Sequence, residues 1–175
     1  NDNEERAMAI DIRQIHPHFV GEVPGLDLTK PLTPDQAREI EAGMDKYAVL
    51  VFHDQDITDE QQLAFAEISG TGKSEGGSVT KKEDYRLASG LADVGNLDKN
   101  GKPLPRDHRT HLFNLGNCLW HSDSSFRPIP AKFSLLSARV VNPKGGNTEF
   151  ADMRAAYDAL DDETRAEIED MICEH

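Results

Sequence analysis

Apolar residues recur along this chain with two different periods, one helical and one strand-like. Ala37, Ile40, Met44 and Tyr47 return at helical spacing, which gives one face to bury. Thr33-Pro34-Asp35-Gln36 supplies an N-cap threonine, a proline at the first helical position and a glutamine placed to close a capping box. A helix therefore starts at Pro34. Ala48-Val49-Leu50-Val51-Phe52 is a short continuous apolar run, as a buried strand would be. Thr58-Asp59-Glu60-Gln61 repeats the capping signature and opens a second helix to about Ile68. Ahead of both helices, residues 8–20 predict a short strand, followed by a turn through Gly21 to Gly25.

Periodicity then lapses. Residues 69–110 are rich in Gly, Lys, Asp and Pro. A loop this long inside a compact domain is either a functional cover, such as an active-site lid, or plain solvent-exposed surface. From Leu112 the apolar pattern returns, now with a strand-like period. Residues 117–123 predict one strand. Lys132 to Val141 predict a second, with Phe133, Leu135 and Val141 on one face and Leu136, Ala138 and Val140 on the other. Asn142 to Asn147 is a turn cluster, and Thr148-Glu149-Phe150 starts a third strand. Asp152 can cap a helix from Met153 to Leu160, and Asp161-Asp162-Glu163 puts acid at the start of a last one, where the helix dipole favours it. The class is α+β, with a β core expected to continue past the end of the chain.

The chain has 175 residues, about one domain's length, with 37% hydrophobic residues and a net charge of −13. That charge repels phosphate backbones and anionic lipid, so neither nucleic acid nor a membrane surface is an expected partner. No apolar run approaches the ~18 residues of a membrane span. Cys118 and Cys173 form neither a CxxC pair nor a disulfide framework, and a reducing cytoplasm fits them best. The polar start, Asn1 to Arg6, lacks the apolar stretch of a signal peptide.

Chemistry concentrates at Trp120-His121-Ser122-Asp123. Residues two apart on a strand share a face, so His121 and Asp123 can converge on one point with an imidazole nitrogen and a carboxylate oxygen. Trp120, out of phase, should point into packing on the other side. Two histidines and one carboxylate on one octahedral face make the non-haem iron(II) pattern. Spacing alone fits a surface pair or a hydrogen-bonded core histidine equally well.

The wider context is more specific. Asn117-Cys118-Leu119-Trp120-His121-Ser122-Asp123-Ser124-Ser125-Phe126, and then Gly145-Gly146-Asn147-Thr148-Glu149-Phe150-Ala151-Asp152-Met153-Arg154-Ala155-Ala156-Tyr157-Asp158-Ala159-Leu160, closely resemble the taurine dioxygenase family of iron(II)/2-oxoglutarate oxygenases. The branch they look most like is the 2,4-dichlorophenoxyacetate dioxygenases. Tyr47 to Phe52 and Asp59 to Ala66 also look like that family, and the likeness weakens between about 69 and 110. The resemblance implies a double-stranded β-helix (jelly roll) with flanking helices, of which residues 1–175 are the N-terminal and central part. It implies His121 and Asp123 as iron ligands, Thr148 as a contact of the distal 2-oxoglutarate carboxylate, and Asn117 near the co-substrate. With dioxygen, such an enzyme converts 2-oxoglutarate to succinate and carbon dioxide while hydroxylating the carbon beside an ether oxygen. The resulting hemiacetal falls apart to a phenol and glyoxylate.

Several features depart from the family pattern. The family's second histidine and its 2-oxoglutarate-clamping arginine lie downstream of this motif, and His175 does not sit in the distal-histidine context. The triad is incomplete, so the chain is expected to be a fragment of a longer protein that binds iron weakly alone. Unpaired strands would leave an edge that invites self-association into a homo-oligomer. A phenoxyacetate is an anion and needs cationic contacts. Lys81, beside Lys82, is off by one from a lysine of the herbicide-degrading relatives; Lys102 in Asn100-Gly101-Lys102 matches another cleanly, and Ser124 follows the ligand Asp123. His108 and His111, with Arg106 and Arg109, form a basic patch that reads as exposed loop. Ser69 to Ser74 looks like a P-loop, but Glu67 stands where its first glycine must be. The same chemistry on an alkyl sulfonate or sulfate is the alternative. A non-catalytic jelly-roll module that binds or stores metal is the alternative of another class.

Overall fold

The computed structural model describes residues 10–69, 85–125 and 127–172. Both capping boxes form. At the start of α1 (Pro34–Tyr47) the Gln36 N–H donates to the Thr33 hydroxyl at 3.2 Å, and the Thr33 N–H donates to the Gln36 side-chain oxygen at 2.9 Å. Thr58 and Gln61 make the same exchange at 3.3 and 2.8 Å to open α2 (Asp59–Ile68). Each box satisfies two backbone donors, one of them in the first turn, where the helix supplies no partner of its own.

The chain divides into two compact units. One gathers Asn1–Leu26, Arg38–Asp54 and Leu136–His175; the other gathers Asp27–Ala37 and Gln55–Leu135. The first unit holds a sheet of order β1-β2-β3, made of Arg13–Gln14, Gly21–Glu22 and Leu50–Val51. β1 and β2 run antiparallel with Arg13 opposite Glu22; β2 and β3 run parallel with Gly21 opposite Leu50. The ladder extends on either side through Gly21 N–H to Val49 O and Val23 N–H to Val51 O, each 2.9 Å. α1 buries Ile40, Gly43 and Tyr47, and Val23 is the deepest residue at 1% exposure. Ala37 and Met44, expected on the buried face, are half-covered.

Gly43 shows why that face reads differently from its apolar pattern. A Cβ there would stand 2.6 Å from the Ile12 Cδ1 methyl. At Gly21 a Cβ would meet Ile12 Cγ2 at 2.7 Å, and Leu50 and Tyr47 carbons both at 2.9 Å. The bare backbone at both positions lets these side chains close over it.

The second unit packs Leu28, Leu32, Ile57 and Ala66. Side-chain amides and carboxylates tie its loops: Gln55 accepts from Leu28 N–H at 2.9 Å, Gln61 donates to Thr29 O at 2.9 Å, and Asp59 accepts from Ala88 N–H at 2.7 Å. Of the expected loop over 69–110, residues 70–84, with Lys81, Lys82 and most of the P-loop-like run, lie outside the described residues. Residues 85–108 carry no helix; Arg86 holds Asp93 through two bonds of 2.7 and 2.6 Å. His108 lies at the end of this stretch, where its ring nitrogen accepts from Thr110 N–H and caps α3 (Arg109–Asn114).

Three expected strands are corrected. Residues 117–123 enter from a 3-10 turn (Leu115–Cys118) and leave through a turn at 123–125; residues 132–141 and 148–150 belong to no ladder among the described residues. Alternating apolar residues set a strand's faces, but only a hydrogen-bonded neighbour makes it a strand, and none pairs with these among the described residues. Trp120, expected in packing, is 69% exposed for the same reason. The two C-terminal helices form as α4 (Met153–Asp158) and α5 (Asp162–Ile168), capped by Asp152 and Asp161. Gly145 and Gly146 take φ of 71° and 74° in the expected turn cluster. Among the described residues no helix is long and apolar enough to cross a membrane.

Gly21→Ala is expected to cost about 1–3 kcal/mol, because three side chains must move at once. Gly43→Ala should cost less, since its nearest obstacle is a flexible methyl end and alanine favours the helix by about 1 kcal/mol. Thermal melts of the two variants test that order.

Candidate metal centre

The segment carrying His121 is set by the short helices before it. α3 passes into the 3-10 turn, which stops when Leu119 turns extended at φ −97° and ψ 144°, its N–H still bonded to Gly116 O. That places the Leu119 carbonyl 2.7 Å from His121 Nδ1. A carbonyl only accepts, so this contact uses Nδ1 as the donor, which makes Nε2 the nitrogen turned towards Asp123. Nε2 lies 3.3 Å from Asp123 Oδ1. The two side chains are 48% and 59% exposed.

This pair meets the requirements of a metal in three respects. The donor atoms are an imidazole nitrogen and a carboxylate oxygen, a mix that suits iron(II) and its neighbours. A backbone carbonyl orients the ring through its other nitrogen, as metal-bound histidines generally require. Two donors in adjacent octahedral positions, with bonds of ~2.1 Å, stand ~3 Å apart, close to the separation seen. The set is nevertheless short of a ligand: among the described residues no group of three His, Cys, Asp or Glu could hold a metal. His175 lies outside the described residues.

The other expected site residues are distributed over both units. Asn117 lies exposed in the 3-10 turn of the second unit. Ser124, half-buried, follows Asp123 in the same unit. Lys102 closes a tight turn there: Asp98 accepts from the N–H groups of Asn100 and Lys102, both at 2.8 Å, and Gly101 takes φ 76°. The Lys102 side chain is exposed. Thr148 belongs to the first unit, exposed, just past the Gly145-Gly146 turn.

The residues after Thr148 contain an anchor that sequence reasoning missed. Arg154 donates from Nη1 to the Asp45 carbonyl at 2.7 Å and from Nη2 to the Lys46 carbonyl at 3.4 Å, at the last turn of α1. It also forks onto Asp152 through Nε at 3.0 Å and Nη2 at 3.1 Å. Asp152 caps α4 with the same carboxylate, whose side chain is 8% exposed. The Asp-x-Arg spacing was visible, but its carbonyl partners stand more than a hundred residues away in the chain and leave no local signal. Arg154 holds Asp152 below the usual carboxylate range, helped by the Arg154 backbone N–H, and Asp152 in turn holds Arg154 more firmly protonated.

Comparison with known proteins places these residues in a wider setting. Residues 11–175 match the family model described as "Taurine catabolism dioxygenase TauD, TfdA family". The chain is 43% identical over 170 residues to an alpha-ketoglutarate-dependent 2,4-dichlorophenoxyacetate dioxygenase of Burkholderia sp. (strain RASC), covering 96% of this chain and 57% of that protein. It is 44% identical to a protein of the same description from Cupriavidus pinatubonensis (strain JMP 134 / LMG 1197), over 96% of this chain and 58% of that one. Among solved structures it is similar to the crystal structure of AAD-2 in complex with Mn(II) and N-oxalylglycine, at 74% identity and a TM-score of 0.85, over 95% of this chain and 56% of that chain. The chain thus spans somewhat more than half the length of these relatives.

The lowered acidity range of Asp152 has a direct consequence. A carboxyl with a folded-state pKa below its unfolded value stabilises the fold above the unfolded pKa, and that contribution is lost as pH falls through the folded one. The α4 cap and the Arg154 fork should therefore hold at neutral pH, begin to weaken only below the ordinary carboxyl value of about 4, and be lost at still lower pH, as the lowered carboxyl takes up its proton. Acid titration of the helical circular dichroism of wild type and Asp152→Asn is the measurement; the variant should lack the part of the transition that this carboxyl contributes.

Proposed function

Because the chain belongs to the taurine catabolism dioxygenase TauD, TfdA family, we propose that the complete protein is an iron(II)- and 2-oxoglutarate-dependent dioxygenase acting on a small phenoxyacetate anion such as 2,4-dichlorophenoxyacetate. The observation that carries this reading is the His121 Nε2–Asp123 Oδ1 pair at 3.3 Å with the ring's other nitrogen anchored. Bound iron(II) supplies the chemistry of dioxygen, coupling oxidation of 2-oxoglutarate to succinate and carbon dioxide with hydroxylation of the substrate. Hydroxylation beside the ether oxygen leaves a hemiacetal that collapses to a phenol and glyoxylate.

The chain's own residues have distinct parts in this proposal. His121 offers Nε2 because Leu119 O holds the proton on Nδ1, and Asp123 offers an anionic oxygen that offsets metal charge. The third ligand is not among the described residues. Thr148 is proposed to donate its hydroxyl to the distal carboxylate of 2-oxoglutarate, with Asn117 beside the co-substrate. A buried carboxylate needs such donors. The relative crystallised with N-oxalylglycine supports 2-oxoglutarate as the co-substrate, since that molecule is 2-oxoglutarate with an amide N–H in place of the methylene beside the keto carbon. Lys102, Lys81 and Ser124 are the proposed substrate contacts, and the 69–110 segment the cover that brings the lysines to an anion. A net charge of −13 makes local cations necessary for binding one. The proposed complete fold is a jelly roll, in which residues 132–141 and 148–150 would ladder with further strands. A reducing cytoplasm, which keeps iron ferrous and Cys118 a thiol, is the proposed location.

With anaerobic iron(II) and 2-oxoglutarate, the complete protein should develop a metal-to-ligand charge-transfer band, and aeration with a phenoxyacetate should yield succinate and a phenol. Absence of both band and succinate would sink the oxygenase reading. Asp123→Ala should abolish both signals, since it removes an anionic ligand. Thr148→Ala should raise the KM for 2-oxoglutarate by about tenfold while affecting the KM for the phenoxyacetate little, the loss of one hydrogen bond to a charged group.

A further inference from the structure

Lys102 belongs to a hairpin, residues 96–104, that its own bonds hold together. Leu104 N–H donates to Asn96 O and Asp98 N–H to Lys102 O, both at 2.7 Å, and Leu97 bridges Pro103 antiparallel. The Lys102 N–H closes back onto the Asp98 carboxylate. Both ends of this hairpin are fixed to α3, by different means. The outgoing end is covalent: Leu104 leads through a turn, with His108 N–H donating to Pro105 O at 3.0 Å, into Arg109. The incoming end is held across space, where Asn114, the last residue of α3, donates from Nδ2 to Gly95 O at 2.6 Å in a half-buried contact. A carbonyl only accepts, so the amide nitrogen is the group this contact requires. The Arg86–Asp93 ion pair lies against Gly95: a Cβ there would stand 3.2 Å from Arg86 Nη2 and 3.3 Å from Asp93 Oδ1. Asp59, at the start of α2, holds the same stretch of chain through Ala88 N–H. All of these residues belong to the second unit.

A hairpin joined at one end alone can swing about that joint, and a second tie at its other end removes the swing. α3 runs directly into the 3-10 turn that carries the chain to Leu119 and His121. We propose that Asn114 is a positioning residue for the substrate anion: its bond to Gly95 fixes the Lys102 hairpin against the helix that leads to the metal pair. Without that bond the hairpin keeps its shape but samples more placements, and apparent substrate affinity falls in proportion to the time Lys102 spends in place. The inference rests on reading Lys102 as a contact of the phenoxyacetate.

The test uses the complete protein and 2,4-dichlorophenoxyacetate. Asn114→Ala should raise the KM for the phenoxyacetate by about fivefold, the worth of one hydrogen bond, and leave the KM for 2-oxoglutarate within about twofold of wild type. Asn114→Asp keeps the shape but turns an acceptor to the Gly95 carbonyl at neutral pH, so it should be no better than alanine. Lys102→Ala should raise the same KM by more than about tenfold, and adding Asn114→Ala to it should cost less than about twofold more, because the two act through one contact. Amide hydrogen exchange of the apo-protein gives a readout apart from turnover. In Asn114→Ala the amides of Lys102 and Leu104 should stay as protected as in wild type, since their bonds are internal to the hairpin. An alanine or aspartate variant with the wild-type KM overturns the proposal, as do single effects that multiply in the double variant. Lost protection at Lys102 and Leu104 overturns it too, because Asn114 would then hold the hairpin's fold and not its placement. A wild type that does not turn over the phenoxyacetate, or a Lys102→Ala variant with unchanged KM, is a separate failure: it removes the substrate reading itself, and this inference with it.

Discussion

A β-strand must pass its backbone N–H and C=O groups to a neighbour, and this requirement governs what the chain builds. Where a neighbour lies close, order is tight. Gly21–Glu22 lies between Arg13–Gln14 and Leu50–Val51, and the bare backbone at Gly21 and Gly43 lets Ile12, Leu50 and Tyr47 close over it. Where no neighbour lies beside it, the same kind of sequence stays open. Val140 and Val141, in a segment with every mark of a strand, are left largely exposed. The apolar residues around His121 and Asp123 share this condition, Leu119 and Trp120 among them.

The His121–Asp123 pair survives without a sheet because its geometry is local. A 3-10 turn ends at Leu119, the Leu119 carbonyl accepts from His121 Nδ1, and a left-handed serine turns the chain just past Asp123. Each step spans only a few residues, so none depends on a distant strand. The segment behind Thr148 is held differently. Asp152 and Arg154 form a long-range clamp onto the last carbonyls of α1, joining the cap of one helix to the end of another. Cations near a helix C-terminus complement its dipole, and Arg154 does so through Nη1 and Nη2 while Nε and Nη2 also bond Asp152.

The charge distribution is consistent with this arrangement. At −13 the chain repels anions in general, so any anion it binds must meet locally placed cations or hydroxyls. Arg86 and Arg154 are already committed to Asp93 and Asp152. The Lys102 side chain is exposed beside a tight turn closed by Asp98.

Local chemistry was legible in the sequence. Both capping boxes, the aspartate caps of the last two helices and the Gly-Gly turn appear where their residues predicted, because the caps depend on partners only two or three positions away and the turn on its own glycines. The likeness to the dioxygenase family was equally legible, since it resides in the order of residues from Asn117 to Phe126 and from Gly145 to Leu160. Tertiary structure decided the rest. It left the predicted strands at 117–123, 132–141 and 148–150 without ladders, exposed Trp120, and buried Gly43 where the apolar pattern pointed to Ala37 and Met44. It also supplied the Arg154 clamp, whose acceptors are backbone carbonyls and carry no residue-type signal. The pattern of side chains fixes which face a segment would present, but whether another segment meets that face depends on where the rest of the chain goes.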